Sequence, residues 1–305
     1  MTRLLLFGAN GFLGRHVRAA LTPDHTLTCP RRSECDLLTV DLPELTELIR
    51  SVRPAAVVNC TGRLDGTDRQ LVDAHTQVTA RLVDAVVAGA PDARLIRLGS
   101  AGEYGPVPFG QQVRESHPAE PVGAYGLSHL AATRLMETAV AAGRLDGVVL
   151  RVFNPIGPGL GEQNVVGRAA RLIRTALARH APEVALGPLD AYRDLVDARD
   201  VALAVRAAVR LPRPHPVVFN VGTGTAVRIR QVVSMLAAAA GYPGGIAETA
   251  PGPGAARSAT VPWMCADVSS AAGELGWRPS YDLTETVKAI WTEAAGLGDS
   301  SSSRE

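Results

Sequence analysis

A doubly wound α/β fold, with a parallel sheet and a smaller C-terminal lobe, is the architecture this sequence predicts. Three observations carry it. Short apolar runs alternate with helix-length amphipathic stretches through the first half of the chain. The first run leads directly into glycines at 8, 11 and 14. The alternation then loosens after about residue 155.

In order, Leu4 to Phe7 reads as a strand ending at Gly8, and Phe12 to Leu21 as a helix. Thr26 to Cys29 is a second strand, Pro43 to Val52 a helix, and Ala55 to Cys60 a third strand. Asp68 to Ala88 has the periodicity of one long helix, Arg94 to Leu98 is a strand, and Ala124 to Ala142 is another long helix. Gly147 to Val152 closes the series. Strands alternating with helices imply a parallel sheet covered on both faces. Further on, Asn164 to Ala181 and Ile229 to Ala240 read as helices, Val217 to Val221 as a short strand, and Gly241 to Pro262 as loop. Gly296 to Glu305, with its consecutive serines, is expected to be disordered.

Composition narrows the function. The 31 Lys+Arg and 30 Asp+Glu leave a formal charge of +1, so nothing points to nucleic acid or an anionic membrane. Lys288 is the sole lysine. Cys29, Cys35, Cys60 and Cys265 form no C-x-x-C and no zinc spacing, which fits reduced thiols and no metal. No run approaches the ~18 apolar residues of a membrane span. The first run, Leu4 to Phe7, is too short for a signal peptide. The expectation is a cytoplasmic protein.

Gly8-Ala9-Asn10-Gly11-Phe12-Leu13-Gly14 joins a strand to a helix. Glycines at 8 and 11 permit a tight turn and close approach to a pyrophosphate, and Gly14 permits helix-strand packing. The helix N-terminus offers N–H groups to the phosphates. The segment is therefore a candidate dinucleotide site. Residues 1–155 form the expected Rossmann domain, with 190–225 returning to it. Residues 156–189 and 226–295 form the expected substrate lobe. Arg31 and Arg32 follow the second strand, where arginine pairs with a 2′-phosphate. They favour NADP(H), with NAD(H) possible, and a solvated surface pair is the other reading.

Tyr125 and His129 lie one helical turn apart and face the same way. A tyrosine beside a cation is a proton donor, because positive charge favours phenolate. Ser100, two residues beyond the strand end at Leu98, completes a candidate catalytic set; taken alone such a serine is more often a helix or turn cap.

These residues resemble the extended branch of the short-chain dehydrogenase/reductase family. The resemblance runs from Leu4 to about Trp291. It rests on the G-x-x-G-x-x-G turn, the Ser100 to Gly105 segment and Tyr125. Arg151 to Gly159, Tyr192 to Val201, Phe219 to Gly224 and Leu275 to Pro279 extend it. Within the branch the chain looks most like GDP-4-keto-6-deoxymannose reductases. The resemblance implies that Ser100 bonds the reacting substrate oxygen, Tyr125 moves the proton, Asp36 contacts adenine, and Asn154 and Arg193 hold the substrate. An ion pair with Asp194 or Asp197 is the alternative role for Arg193. The implied substrate is a nucleoside-diphosphate sugar. The implied assembly is a homodimer built on helices 68–88 and 124–142.

Two positions, His129 and His75, depart from the family, and Ala101 and Gly102 set the chain apart from one branch of it. His129 replaces a lysine that bonds the nicotinamide ribose and lowers the tyrosine pKa. Ala101 and Gly102 replace the Asp-Glu pair of the 4,6-dehydratases, which argues against conventional dehydration. His75 stands where asparagine is common, as a packing substitution or a second imidazole under the site. The leading reading is a reductase or epimerase with His129 in place of lysine, whose turnover rises in His129→Lys. One alternative is a repurposed enzyme of specialised metabolism with no net redox; the other is a non-catalytic dinucleotide-binding module.

Overall fold

A computed structural model describes residues 1–213, 215–250 and 261–299. Its central sheet has six parallel strands: β1 (Thr2–Phe7), β2 (His25–Thr28), β3 (Ala56–Asn59), β4 (Arg94–Ser100), β5 (Asp146–Val152) and Val218–Val221. Their spatial order is Val218–Val221, β5, β4, β3, β1, β2. The chain passes from β2 across β1 to β3, so strand order reverses between β1 and β3. In such sheets the carboxyl ends at that reversal open a crevice for ligands.

The period of two along β1 sorts its side chains between two cores. Leu4 and Leu6 pack with Val58, Ile96, Leu150 and Val205 beneath α1 (Phe12–Leu21) and α7 (Ala198–Arg210). Leu5 and Phe7 pack with Val57, Leu95, Leu45, Val86 and Met136 beneath α2 (Leu42–Val52), α4 (Val78–Gly89) and α5 (Ala124–Ala141). All these core residues are almost fully buried. Burial of this kind contributes roughly 25 cal/mol per Å² of apolar surface, which is why both faces must be covered.

A third core closes the smaller lobe. There α6 (Val165–Arg179), α8 (Ile229–Ala239) and the C-terminal helix Leu283–Asp299 meet around Ile173, Leu236 and Ile290. A parallel pair, Glu183–Leu186 with Gly245–Glu248, lies in this lobe. A three-stranded sheet places Tyr192–Asp194 between Ala226–Arg228 and Trp263–Met264.

Four segments differ from the sequence expectation. The helix expected over 68–88 is α3 (Asp68–Val72), a π-helical turn at Asp73–Gln77, and then α4. Periodicity carries through a single wide turn, so the pattern hides it. Helix α7 lies in a segment left unassigned, although Asp197 caps it by accepting from the Arg199 N–H at 2.7 Å. The expected loop 241–262 contains the strand Gly245–Glu248, and its residues 251–260 lie outside the described residues. Residues 296–299 of the expected disordered tail are helical, and 300–305 lie outside the described residues.

Candidate active site

The glycine turn is built as a cradle. Gly8 has φ +78°, and a Cβ there would meet the Cys60 carbonyl carbon at 2.8 Å. A Cβ on Gly14 would stand 1.9 Å from the Gly8 carbonyl oxygen. The Gly11 N–H donates to that oxygen at 3.0 Å and closes the turn. Gly11 caps α1 without a side chain, leaving the first-turn N–H groups for a ligand. Asn10 is exposed and accepts from Arg18, while Phe12 and Leu13 are half-buried. A turn this crowded admits backbone and no side chain, which suits a dinucleotide pyrophosphate.

Ser100 ends β4 and starts a 3-10 turn, Ala101–Glu103. Its Oγ accepts from the Gly102 N–H at 3.1 Å, so the capping role is realised, and the hydroxyl proton stays available to a ligand. Tyr125 lies in the first turn of α5, half-buried. Gly102 separates the two: a Cβ there would lie 3.3 Å from Ser100 Oγ and 3.4 Å from the Tyr125 ring. Gly126 brings α5 against the same turn, since its Cβ would meet the Gly102 carbonyl at 2.2 Å. Two glycines thus place the serine hydroxyl beside the tyrosine at the carboxyl edge of the sheet, the edge that carries the glycine turn.

His129 is 7% exposed, and its ring centroid is 4.7 Å from that of Tyr125. Its Nδ1 lies 2.9 Å from Arg97 Nη2. A guanidinium only donates, so Nδ1 accepts and the proton resides on Nε2. Burial, then the charge of Arg97 and the proximity of His75, hold His129 well below its ordinary pKa. His75 stacks on His129 and meets Tyr125 edge-on at 5.5 Å. It belongs to the π-helical turn, whose extra residue carries it under the site. Its Nε2 accepts from the Arg63 N–H at 3.2 Å, so Nδ1 donates to Ser128 Oγ at 2.9 Å. Burial, with Arg97 second, lowers its pKa to about 4. Both imidazoles are neutral at pH 7, in opposite tautomers.

Beneath lies a charged cluster that the sequence reading did not single out. Arg97 is 3% exposed and also donates to Thr79 Oγ1 at 3.1 Å. Glu103, fully buried, accepts from Arg151 Nε at 2.8 Å and lies 4.0 Å from Arg97. Arg151 also donates to the Tyr104 hydroxyl, which donates to Asn220. An arginine within an apolar strand (Leu95-Ile96-Arg97-Leu98) was the available signal, because a charge there needs a buried partner.

The other candidates lie at separate points. Asn154, at φ +27°, donates to the Asp194 carbonyl at 3.2 Å and ties the exit of β5 to the strand of Arg193. Arg193 donates to the Tyr192 carbonyl at 2.7 Å, and burial lowers its pKa to about 10. The two acids considered as its partners are engaged elsewhere. Asp194 accepts from Thr223, Gly224 and Ala266, and Asp197 from Arg199 and Thr286. A cavity of about 340 Å³ lined by Leu195, Asp197, Thr223, Val227 and Tyr281 lies beside these strands and shares no lining residue with Ser100, Tyr125 or His129. Arg31 is exposed, and Arg32 pairs with Asp36 at 3.0 Å. Asp36 also accepts from the Leu38 N–H, so its carboxylate shapes this loop.

Comparison with known proteins gives the family and the fold. The NAD dependent epimerase/dehydratase family matches residues 4–222. The chain is 39% identical over 304 residues to a dTDP-6-deoxy-L-talose 4-dehydrogenase (NAD(P)(+)) of Kitasatospora kifunensis, covering 95% of each. It is 28% identical to a GDP-6-deoxy-D-mannose reductase of Pseudomonas aeruginosa, covering 95% of this chain and 96% of that one. The solved structure of RMD from Pseudomonas aeruginosa complexed with NADPH superposes with a TM-score of 0.84 at 24% identity, over 97% of this chain and all of that one. With its glycine cradle, parallel sheet and Ser-Tyr pair, the chain belongs to the NAD dependent epimerase/dehydratase family.

Proposed function

We propose that the chain is an NAD(P)-dependent reductase or dehydrogenase that interconverts a ketone and an alcohol on the 6-deoxy sugar of a nucleoside diphosphate. The observation that carries this is the placement of Ser100 and Tyr125 on either side of Gly102, at the sheet edge that bears the glycine cradle. Ser100 holds the reacting oxygen and Tyr125 gives or takes its proton. A bound nicotinamide dinucleotide supplies or accepts the hydride. The chain's own share is placement and electrostatics, with Asn154 and the desolvated cation Arg193 toward the sugar diphosphate. Dehydration is disfavoured, because Ala101 and Gly102 carry no acid and Glu103 is bound in its pair with Arg151.

The relative at 39% identity favours a dTDP sugar with reaction at C4. Exposed Arg31 supports a preference for NADP(H), with NAD(H) possible. Val72, Leu127 and Leu135 are exposed apolar residues on α3 and α5, which supports a homodimer through these helices. No helix among the described residues is long and apolar enough to cross a membrane. The test follows NADPH oxidation with dTDP-4-keto-6-deoxy-L-mannose, the C4 ketone of 6-deoxy-L-talose, and with GDP-4-keto-6-deoxymannose. The expected result is turnover with one of the two and product reduced at C4. Conversion without cofactor consumption, or no turnover with either, would sink the proposal.

A further inference from the structure

Lysine is missing from the proton-transfer turn, and the imidazole that replaces it is neutral, yet a fixed positive charge lies directly behind that imidazole. Arg97 Nη2 donates to His129 Nδ1 at 2.9 Å, and the His129 ring lies 4.7 Å from the Tyr125 ring. We propose that Arg97, acting through His129, supplies the positive charge that favours the phenolate form of Tyr125. Arg97 is thereby a positioning residue for proton transfer in place of the usual ammonium. The inference rests on the reading of Tyr125 as the proton donor.

Four features support it. The first is that the contact is directional. Because Arg97 can only donate, His129 is locked as the Nε2–H tautomer, and its polarised Nε2–H becomes more positive. The second is the charge balance. The groups around the two rings are His75 on the π-helical turn, Thr79 on α4, and Ser128 and Thr133 on α5. With them are Arg97 on β4, Glu103 on the 3-10 turn and Arg151 on β5. His75 is neutral, and the carboxylates of Glu103 and Glu115 both act on Arg151, which leaves Arg97 as the cation facing the rings. Glu103 is 2.8 Å from Arg151 but 4.0 Å from Arg97, so Arg97 is the less closely compensated of the two. The third is burial. With 4% of its side chain exposed, Arg97 is little screened by salt. The fourth is reciprocity: ionised Glu103 and Tyr125 both favour the charged form of Arg97 against the cost of burial.

The arrangement also explains why neither arginine nor lysine occupies position 129. A second cation would stand against Arg97 in a buried site. A neutral ring with one acceptor and one donor transmits the polarisation without adding charge.

The test is NMR of the full chain saturated with NADP+, with 13C at tyrosine Cζ and 15N in histidine, read across about pH 5 to 9. Tyr125→Phe and His129→Gln assign the signals. In wild type, His129 should remain a neutral Nε2–H tautomer over this range. Arg97→Gln should raise the Tyr125 pKa by a unit or more, leaving about tenfold less phenolate at a given pH. Adding His129→Lys to Arg97→Gln should return it close to wild type. An unchanged Tyr125 pKa in folded Arg97→Gln, or a wild-type His129 that titrates as an imidazolium in this range, would overturn the inference. If Arg97→Gln does not fold, the wild-type nitrogen spectrum still decides between a neutral relay and a charged ring. The functional reading fails separately, if Tyr125→Phe keeps its turnover of NADPH and keto-sugar.

Discussion

The rings of His75 and His129 lie with centroids 3.9 Å apart at a tilt of 37°, and each has a nitrogen committed to accepting a hydrogen bond. Protonating either ring would break its accepted bond and bring a second cation toward Arg97. Stability should therefore depend on acid. The folded pKa of His75, lowered first by burial, is about 4, against an ordinary 6.5. Between those values the unfolded chain binds the extra proton. The stability is fully present above about pH 6.5 and is lost as pH falls toward 4. From this group alone the loss is about 2 kcal/mol by pH 5. Urea unfolding at pH 7.5 and 5 measures it. His75→Asn should reduce the acid loss by that amount; an undiminished loss would count against the buried neutral ring.

Tyr125→Phe should lower kcat by about 10²- to 10⁴-fold, with dinucleotide affinity changed by less than about threefold. On the proposed function the phenol oxygen transfers the proton, whereas the glycine turn would hold the phosphates. Steady-state kinetics with equilibrium cofactor titration separates the two effects. A proportionate loss of binding would indicate a structural role.

Gly14→Ala and Gly11→Ala should rank by their clashes. At 14 the new methyl would stand 1.9 Å from the Gly8 carbonyl oxygen, and at 11 it would stand 3.3 Å from it. The first should abolish measurable NADPH binding and destabilise the fold by about 1–3 kcal/mol. The second should weaken binding by roughly tenfold or less, a loss of about 1.4 kcal/mol. Fluorescence titration and thermal melts give both quantities, and equal effects would refute the cradle geometry.

Arg31→Ala should lower the NADPH-over-NADH preference in kcat/KM by about tenfold, as expected for one lost charge-assisted contact. Arg32→Ala should change it less, because that guanidinium is already paired with Asp36. A ratio unaffected by Arg31→Ala would make the pair an ordinary solvated surface.

His129→Lys should not raise turnover, contrary to what the sequence suggests. The ammonium would replace the acceptor of the Arg97 bond and leave two cations in contact. Unpaired buried charge of this kind costs about 3–5 kcal/mol. Denaturation of the single variant and of Arg97→Gln/His129→Lys should show strong coupling, with the double variant the more stable of the two. A stable single variant with higher kcat would reverse this account.

The sheet, the glycine turn, and the positions of Ser100, Tyr125 and His129 were legible in the sequence, because each depends on short-range spacing. A strand followed by G-x-x-G-x-x-G specifies its own turn, and an i, i+4 pair on a helix shares a face wherever that helix packs. Helix α7 and the π-helical turn were not legible. The first does carry an apolar stripe of small residues (Val201, Ala204, Val205, Ala208), but it follows directly on two short strands and is masked by alanine on every face, while one extra residue in a turn barely disturbs the pattern.

The sequence by itself determined the chemistry on offer: a dinucleotide cradle, a serine, a tyrosine, and a histidine where lysine was expected. Only the tertiary structure decided what that histidine is. Arg97, thirty-two residues away on β4, contacts it because strand and helix pack together. The stacking of His75 likewise needs the widened turn. Protonation state is set by burial and by neighbours distant along the chain, and no local spacing encodes either.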